Sequence, residues 1–202
     1  FDVVLANPPY SISQWNREAW SSDRWGRNTF GTPPQGRADY AFFQHIVSSM
    51  DKKSGRSAVL FPHGVLFRKE EFNLRKAMLQ ADVIDTVIGL GPNLFSNAPM
   101  ESCIVICRSK KPKTHQGTVL FIDAINDVTR QRTFSFLSEE NQDKITKTFN
   151  SDTDVEGFSR RVALTDIESQ NFDLTVHRYV ERVVAQDGLS ISEAFDGFQT
   201  AH

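Results

Sequence analysis

Cysteine is nearly missing from this 202-residue chain, with only Cys103 and Cys107 present, four positions apart. In the extended run where they stand, that spacing separates them by about 13 Å at roughly 3.3 Å per residue. A disulfide cannot span it, so the pair reads as two small buried thiols on one face of a strand. Histidine is sparse as well: His45, His63, His115, His177 and His202 show no metal-ligand spacing with a cysteine or an acid, and no metal held by protein ligands is expected. Long apolar runs are lacking too. No stretch approaches the roughly 20 residues that cross a bilayer and no signal peptide is visible, so the expected location is cytoplasmic. An excess of positive charge is also absent: 23 Lys and Arg face 25 Asp and Glu, for a net charge of −2, which is not the footprint of a self-sufficient nucleic-acid binder. There is no internal repeat and no low-complexity tract. What the chain has in quantity is phenylalanine, sixteen in all, enough for one aromatic-rich core with at most a small appendage.

The segment Phe1-Asp2-Val3-Val4-Leu5-Ala6 has the composition of a buried parallel strand, and Asn7-Pro8-Pro9-Tyr10 follows it directly. By itself, Asn-Pro-Pro is a turn signal that ends a strand. After such a run it sets two acceptors and a flat ring at the carboxyl edge of a sheet, where α/β folds bind ligands. That arrangement suits methylation of a planar amine. An exocyclic amine such as adenine N6 is a poor nucleophile because its lone pair is delocalised into the ring. Two acceptors in fixed directions hold both N–H protons and favour a pyramidal nitrogen. Asn7 offers its side-chain oxygen and Pro8 its backbone carbonyl, while the Pro8-Pro9 pair stiffens the chain that aims it. Tyr10 offers a stacking face, worth about 1 to 3 kcal/mol to a base rotated out of its duplex. Positioning and electrostatics suffice for an in-line transfer, without a covalent nucleophile.

Downstream, residues 11–37 read as a long loop carrying Trp15, Trp20 and Trp25 with Arg17, Arg24, Arg27 and Arg37. A loop of this length in a compact domain is functional or disordered. Arginines interleaved with aromatics suit single-stranded or flipped nucleotides; alternatively, the tryptophans fold inward and pin the loop. Trp15, Arg17, Arg24 and Arg27 are therefore candidate DNA and base contacts. Residues 40–50 have helical spacing, with Asp39 as an N-cap, although Asp39 and Tyr40 could instead face a cofactor. A strand over 57–61, a helix over 69–81 with a Glu71–Arg75 pair, and strands over 83–90, 102–107 and 118–123 follow. This order indicates a doubly wound, mostly parallel sheet. The basic run Arg108–Lys113 reads as a solvated turn or a phosphate contact. Past residue 136 the composition becomes acidic, with helices expected to start at Ser138, at Thr165 with Glu168 as a capping box, and near Ser190.

Several of these stretches carry a resemblance: FDVVLANPPY (1–10), ADYAFFQH (38–45), GRSAVLFPHGVLFR (55–68), VIGLGPNLFSNAPMESCIVI (87–106) and, more weakly, NFDLTVHRYV (171–180). In this order they resemble the S-adenosylmethionine-dependent, amino-methylating DNA methyltransferases, and within them the modification subunits of type I restriction-modification systems. The resemblance implies a Rossmann-like methyltransferase sheet ending in an antiparallel hairpin, formed by strands 83–90 and 102–107. It also implies adenine-N6 methylation by base flipping, with Asn7, Pro8, Pro9 and Tyr10 as the catalytic element. The implied partners are double-stranded DNA and the specificity and restriction subunits of the same system.

One departure is large. In this family a glycine-rich turn and acidic residues that hold S-adenosylmethionine precede Asn-Pro-Pro-Tyr, and here only six residues do. No cofactor-binding residue can be assigned. The expectation is a fragment that lacks the cofactor-binding strands and is inactive alone. Residues 1–136 would form the C-terminal half of the catalytic domain, and 137–202 a mainly helical extension suited to a subunit interface. Two other readings stand beside it. One is a different Asn-Pro-Pro-Tyr methyltransferase, acting on a release-factor glutamine or on ribosomal RNA. The other is a non-catalytic scaffold whose first strand exposes an unpaired edge.

Overall fold

In the computed structural model the apolar runs pair into one six-stranded sheet; the described residues are 1–94, 100–131 and 134–181. In chain order the strands are β1 (Val3–Ala6), β2 (Arg56–Pro62), β3 (Ile84–Leu90), β4 (Ser102–Arg108), β5 (Thr118–Ala124), the short pair β6 (Thr129–Arg130) and β7 (Ser135–Phe136), and β8 (Ser159–Ala163). The sheet runs β1-β2-β4-β3-β5-β8, with β6 and β7 forming a separate hairpin. Strands β1, β2, β3 and β5 share one direction, and β4 and β8 oppose it. The expected antiparallel pair is β3 with β4, and β4 inserts between β2 and β3.

Side chains alternate across this sheet as a period of two requires. Val59, Phe61, Val87, Cys103, Val105, Cys107, Val119 and Phe121 face one side, where α2 (Asp39–Ser49) and α3 (Phe72–Gln80) pack with Phe43, Ile46, Leu74 and Met78. Both cysteines are free and buried on this face. Ile88, Leu90, Leu120 and Ile122 face the other side, under Ile145 and Phe149 of α4 (Glu139–Ser151). Helices therefore cover both faces. The short helix α5 (Leu164–Ser169) adds the buried Ile167 to the core of α2 and α3, and the short helix α1 (Arg17–Ser21) lies in the loop before α2.

The helical extension expected from residue 137 returns to the sheet. Ser138 does cap α4, through a capping box with Asn141. The chain then adds β8 antiparallel to β5, and Phe172, Leu174, Val176, Tyr179 and Val180 enter the same core as α2 and α3. The Thr165 capping box does not form: α5 begins after Ala163, with no side-chain cap. The helix read near Ser190 and the connection at Phe95 lie outside the described residues. Two bases of the basic run are tied inward, Arg108 to Asp85 at 3.1 Å and Lys111 to Asp82 at 2.6 Å, while Lys110 and Lys113 are exposed.

The first strand differs most from expectation. It forms as predicted, but among the described residues it pairs only with β2, and its outward side chains are exposed: Val3 by 48% and Leu5 by 79%, with Phe1 by 80% beside them. The run is apolar enough for a central strand, yet it stands at an edge with one uncovered face.

Candidate active site

Ala6 pairs with Val59 at the end of the parallel β1–β2 ladder. The chain leaves the sheet there because neither Pro8 nor Pro9 has an N–H to continue pairing. Asn7-Pro8-Pro9-Tyr10 thus stands at the carboxyl edge beside the end of β2 and its 3-10 turn (His63–Leu66), with the end of β3 on the same edge. Asn7 and Pro9 are exposed, Pro8 is buried and Tyr10 half-buried. Burying Pro8 anchors the tetrapeptide while Asn7 faces outward.

The Tyr10 hydroxyl donates to Asn7 Oδ1 at 2.7 Å. Burial first, then the charges of Cys103 and Asp39, raise the Tyr10 pKa, so the phenol stays protonated and a donor. The two side chains assigned separate tasks from sequence are joined: a hydroxyl holds the oxygen that would receive an amine proton. A carbonyl oxygen has a second lone pair, so that bond leaves room for one further donor.

The loop closes on itself. Ala38 N–H donates to Ile12 O at 3.0 Å, and Gln44 of α2, almost fully buried, accepts from Phe30 N–H at 2.8 Å and donates to Gly31 O at 2.9 Å. Its candidate contacts separate into two groups. Trp15 Nε1 donates to Gln35 O at 2.9 Å, and Arg17 Nε to Pro33 O at 2.7 Å. Arg27 pairs with Asp23, whose pKa falls to about 2 chiefly through that bond, and lies over the buried Trp20 ring at 5.0 Å. These residues pin the loop. Arg24 and Trp25 are different: Trp25 is 67% exposed, with the Arg24 guanidinium 4.5 Å above its ring. A cleft of about 460 Å³, lined among others by Ile12, Trp15, Trp20, Phe42 and His45, lies between the loop and α2.

Asp39 does not cap α2. It is the helix's first residue, Ala38 occupies the cap position, and the carboxylate turns instead toward Ser11 N–H at 2.7 Å and Arg68 Nη1 at 2.6 Å. Glu71 likewise meets Arg68, at 3.4 Å, while Arg75 donates to the carbonyls of Phe172 and Arg68. Sequence spacing alone pairs Glu71 with Arg75; the 3-10 turn Lys69–Glu71 rotates the carboxylate toward Arg68. Gln44 and Arg68 lie within the segments 38–45 and 55–68, but no local spacing marks their roles, because Phe30, Gly31 and Asp39 stand 13 or more residues away. His63, at the same edge, has its pKa lowered by burial above all, with Glu101 opposing, and its Nε2 has no hydrogen-bond partner.

One G-x-G does occur in the chain, Gly89-Leu90-Gly91. It makes no phosphate cradle: a Cβ on Gly91 would lie 2.4 Å from Ile125 O, so this glycine serves close backbone packing. Among the described residues no group of three or more His, Cys, Asp or Glu is placed to hold a metal ion, and no helix is long and apolar enough to cross a membrane.

A family model described as N-6 DNA methylase matches residues 1–187. The chain belongs to that family. Within it, the type I restriction enzyme MpnII methylase subunit of Mycoplasma pneumoniae is 33% identical over 195 residues, which are 95% of this chain and 35% of that protein. The MjaVII methylase subunit of Methanocaldococcus jannaschii is 31% identical over 98% of this chain and 36% of its own length. The chain thus spans little more than a third of these relatives. Among solved structures, a type I restriction-modification methyltransferase subunit from Streptococcus thermophilus superposes with a TM-score of 0.82 at 31% identity, covering 90% of this chain and 38% of that one. A modification subunit of a putative type I restriction enzyme from Vibrio vulnificus, at 17% identity and a TM-score of 0.68, shares the fold. The N-6 DNA methylase membership fits the mixed sheet, the β3–β4 hairpin and the edge position of Asn7.

Proposed function

We propose that this chain is the acceptor-side part of a type I modification subunit that methylates adenine N6 in double-stranded DNA. The observation that carries the reading is the exposed Asn7 at the carboxyl end of a parallel strand, anchored by the buried Pro8. A flipped adenine would give one N6 proton to Asn7 Oδ1 and the other to the Pro8 carbonyl. This drains the amine's conjugation and turns its lone pair outward. Tyr10 holds the oxygen until the base arrives; its hydroxyl then shares or yields the acceptor, and its ring becomes free to stack.

S-adenosylmethionine, when bound, supplies an electrophilic methyl group. The described residues do not enclose such a nucleoside: the edge beyond β1 is exposed, and the one G-x-G is closed by Ile125. The described residues therefore contribute the groups that hold the acceptor amine and do not by themselves enclose the donor. Recognition of the DNA site falls to a specificity subunit, and cleavage to a restriction subunit, in keeping with a near-neutral chain. At the loop, Arg24 and Trp25 are the free contacts for a phosphate and a base.

The test is methyl transfer by the complete subunit with its specificity subunit, read as N6-methyladenine by mass spectrometry, with duplex DNA, RNA and a glutamine-containing peptide in competition. Asn7→Ala is expected to lower kcat by about 10² to 10³, as loss of one oriented hydrogen-bonding group does elsewhere. Methylation of RNA or peptide in preference to DNA would end this reading.

A further inference from the structure

Resting on that reading, we infer that Asp39 and Arg68 are positioning residues that aim the catalytic tetrapeptide from behind. Ser11, the residue after Tyr10, has φ of 53°, in the left-handed region, which a non-glycine side chain enters at a cost of about 1 kcal/mol or more. Two groups hold it there. Asp39 Oδ1 accepts its N–H at 2.7 Å, and Arg37 Nη1 donates to its hydroxyl at 3.0 Å. The Ser11 N–H and the Tyr10 carbonyl lie in one rigid peptide plane, so fixing that N–H fixes the direction in which the chain leaves Tyr10.

The carboxylate that does this is itself immobile. The Asp39 side chain is fully buried and its other oxygen meets Arg68 Nη1 at 2.6 Å. A buried carboxylate is tolerable only when paired and hydrogen-bonded, and here each oxygen has one strong partner. Arg68 also contacts Glu71 at 3.4 Å, and its backbone is tied on both sides, its N–H to Gly64 O at 3.1 Å and its carbonyl to Arg75 Nη1 at 3.0 Å. Its guanidinium lies flat on Gly64, where a Cβ would stand 2.6 Å from Nε and 2.8 Å from Nη2. Gly64 belongs to the turn that ends β2. The chain of support therefore runs from the end of β2, through Arg68 and Asp39, to the residue that follows the Asn7–Tyr10 bond. One ion pair joins the segments 38–45 and 55–68, and one hydrogen bond carries the link to Ser11, the residue after segment 1–10.

The test uses the complete subunit with its specificity subunit. Asp39→Ala is expected to lower kcat by about 10²-fold, the usual consequence of a small misplacement at a reacting centre, with KM for DNA and for S-adenosylmethionine within about twofold. Asp39→Asn can accept from Ser11 N–H or from Arg68 but not from both, since its Nδ2 only donates, and is expected to give a kcat between those of Asp39→Ala and the unsubstituted enzyme. Hydrogen exchange gives a readout independent of activity. In the peptide 7–12 only Asn7, Tyr10, Ser11 and Ile12 carry amides, and Asp39→Ala should speed its exchange by about tenfold or more, as loss of a bond to a charged acceptor does, while peptides of β3 stay protected. Unchanged exchange, or a kcat equal to that of the unsubstituted enzyme, overturns the inference, and an Asp39→Asn with the full kcat of the unsubstituted enzyme overturns the part assigned to Arg68. If Asp39→Ala does not fold, Gly64→Ala serves, because its Cβ presses on the Arg68 guanidinium while both members of the ion pair stay in the chain; unchanged kcat together with unchanged exchange there also overturns it. Accelerated exchange in a subunit that methylates no adenine would refute the function proposed above and leave the positioning role intact.

Discussion

Asn7 and Tyr10 show how residue type and residue state differ. The tetrapeptide is an unusual combination and was legible in the sequence, but the hydrogen bond between its first and last side chains depends on the turn that folds one onto the other. Tyr10→Phe removes the hydroxyl and keeps the ring, so the energy at stake is one neutral bond, about 0.5 to 1.5 kcal/mol. In the complete enzyme this variant should keep kcat within about tenfold; Tyr10→Ala, which also loses stacking, should fall further. The loop residues divide in the same way. Arg24→Ala and Trp25→Ala should each weaken DNA binding by about tenfold, within the range measured for base stacking, and Arg24→Ala should also reduce the salt slope by about one. Arg27→Ala should instead lower the thermal midpoint and leave the salt slope unchanged, because its guanidinium is engaged by Asp23 and Trp20. Binding isotherms at several salt concentrations, paired with melting curves, separate the two groups.

At the scale of elements, the burial of charge controls how the sheet and its helices respond to pH. Glu71, at the start of α3, has its pKa pushed up to about 7, first by burial and against the pull of Arg68. Arg68 stands 2.6 Å from Asp39 and 3.4 Å from Glu71, so the nearer carboxylate takes most of its charge. A raised folded-state pKa means that the protonated form is favoured on folding. The associated stability is present below the unfolded value of about 4.3 and is lost as pH rises through 7. Glu71→Gln should flatten the fall of the thermal midpoint between pH 5 and 8. Asp85 in β3 works in the opposite sense. Burial pushes its carboxyl up, but bonds from His115 and Arg108 outweigh that and hold it below the usual range. Its contribution is present above about pH 3.9 and is lost as pH falls through the lower folded value. His115 also meets Asp152 at 2.9 Å, so the same imidazole links β3 to the end of α4. Arg108→Ala should therefore raise the pH at which acid unfolding begins, as followed by circular dichroism.

For the whole molecule, the uncovered edge is the dominant feature. Helix α4 shields the second sheet face over β3 and β5, while Leu60, Ile104 and Ile106 are half-buried and Val3 and Leu5 are exposed. An edge strand with free N–H and C=O groups and apolar side chains is a template for association. The 202-residue chain alone should self-associate with rising concentration in sedimentation velocity, and Leu5→Lys should move it toward monomer. A monomer at all concentrations would show that this edge is covered in solution.

Strands β1 to β5, the two principal helices, the β3–β4 hairpin and the candidate catalytic tetrapeptide were set by information local to the chain: apolar periodicity, proline's missing N–H and the helical spacing of Phe43, Ile46 and Met50 are properties of neighbouring residues. Tertiary structure decided the rest. It took Asp39 from a helix cap to an acceptor for Ser11, moved Glu71 from Arg75 to Arg68, drew residues 159–163 into the sheet, and separated the exposed Arg24 and Trp25 from arginines and tryptophans of identical type. Each of these depends on which buried partner lies within about 3 Å, and that distance is fixed by packing between segments far apart in the sequence.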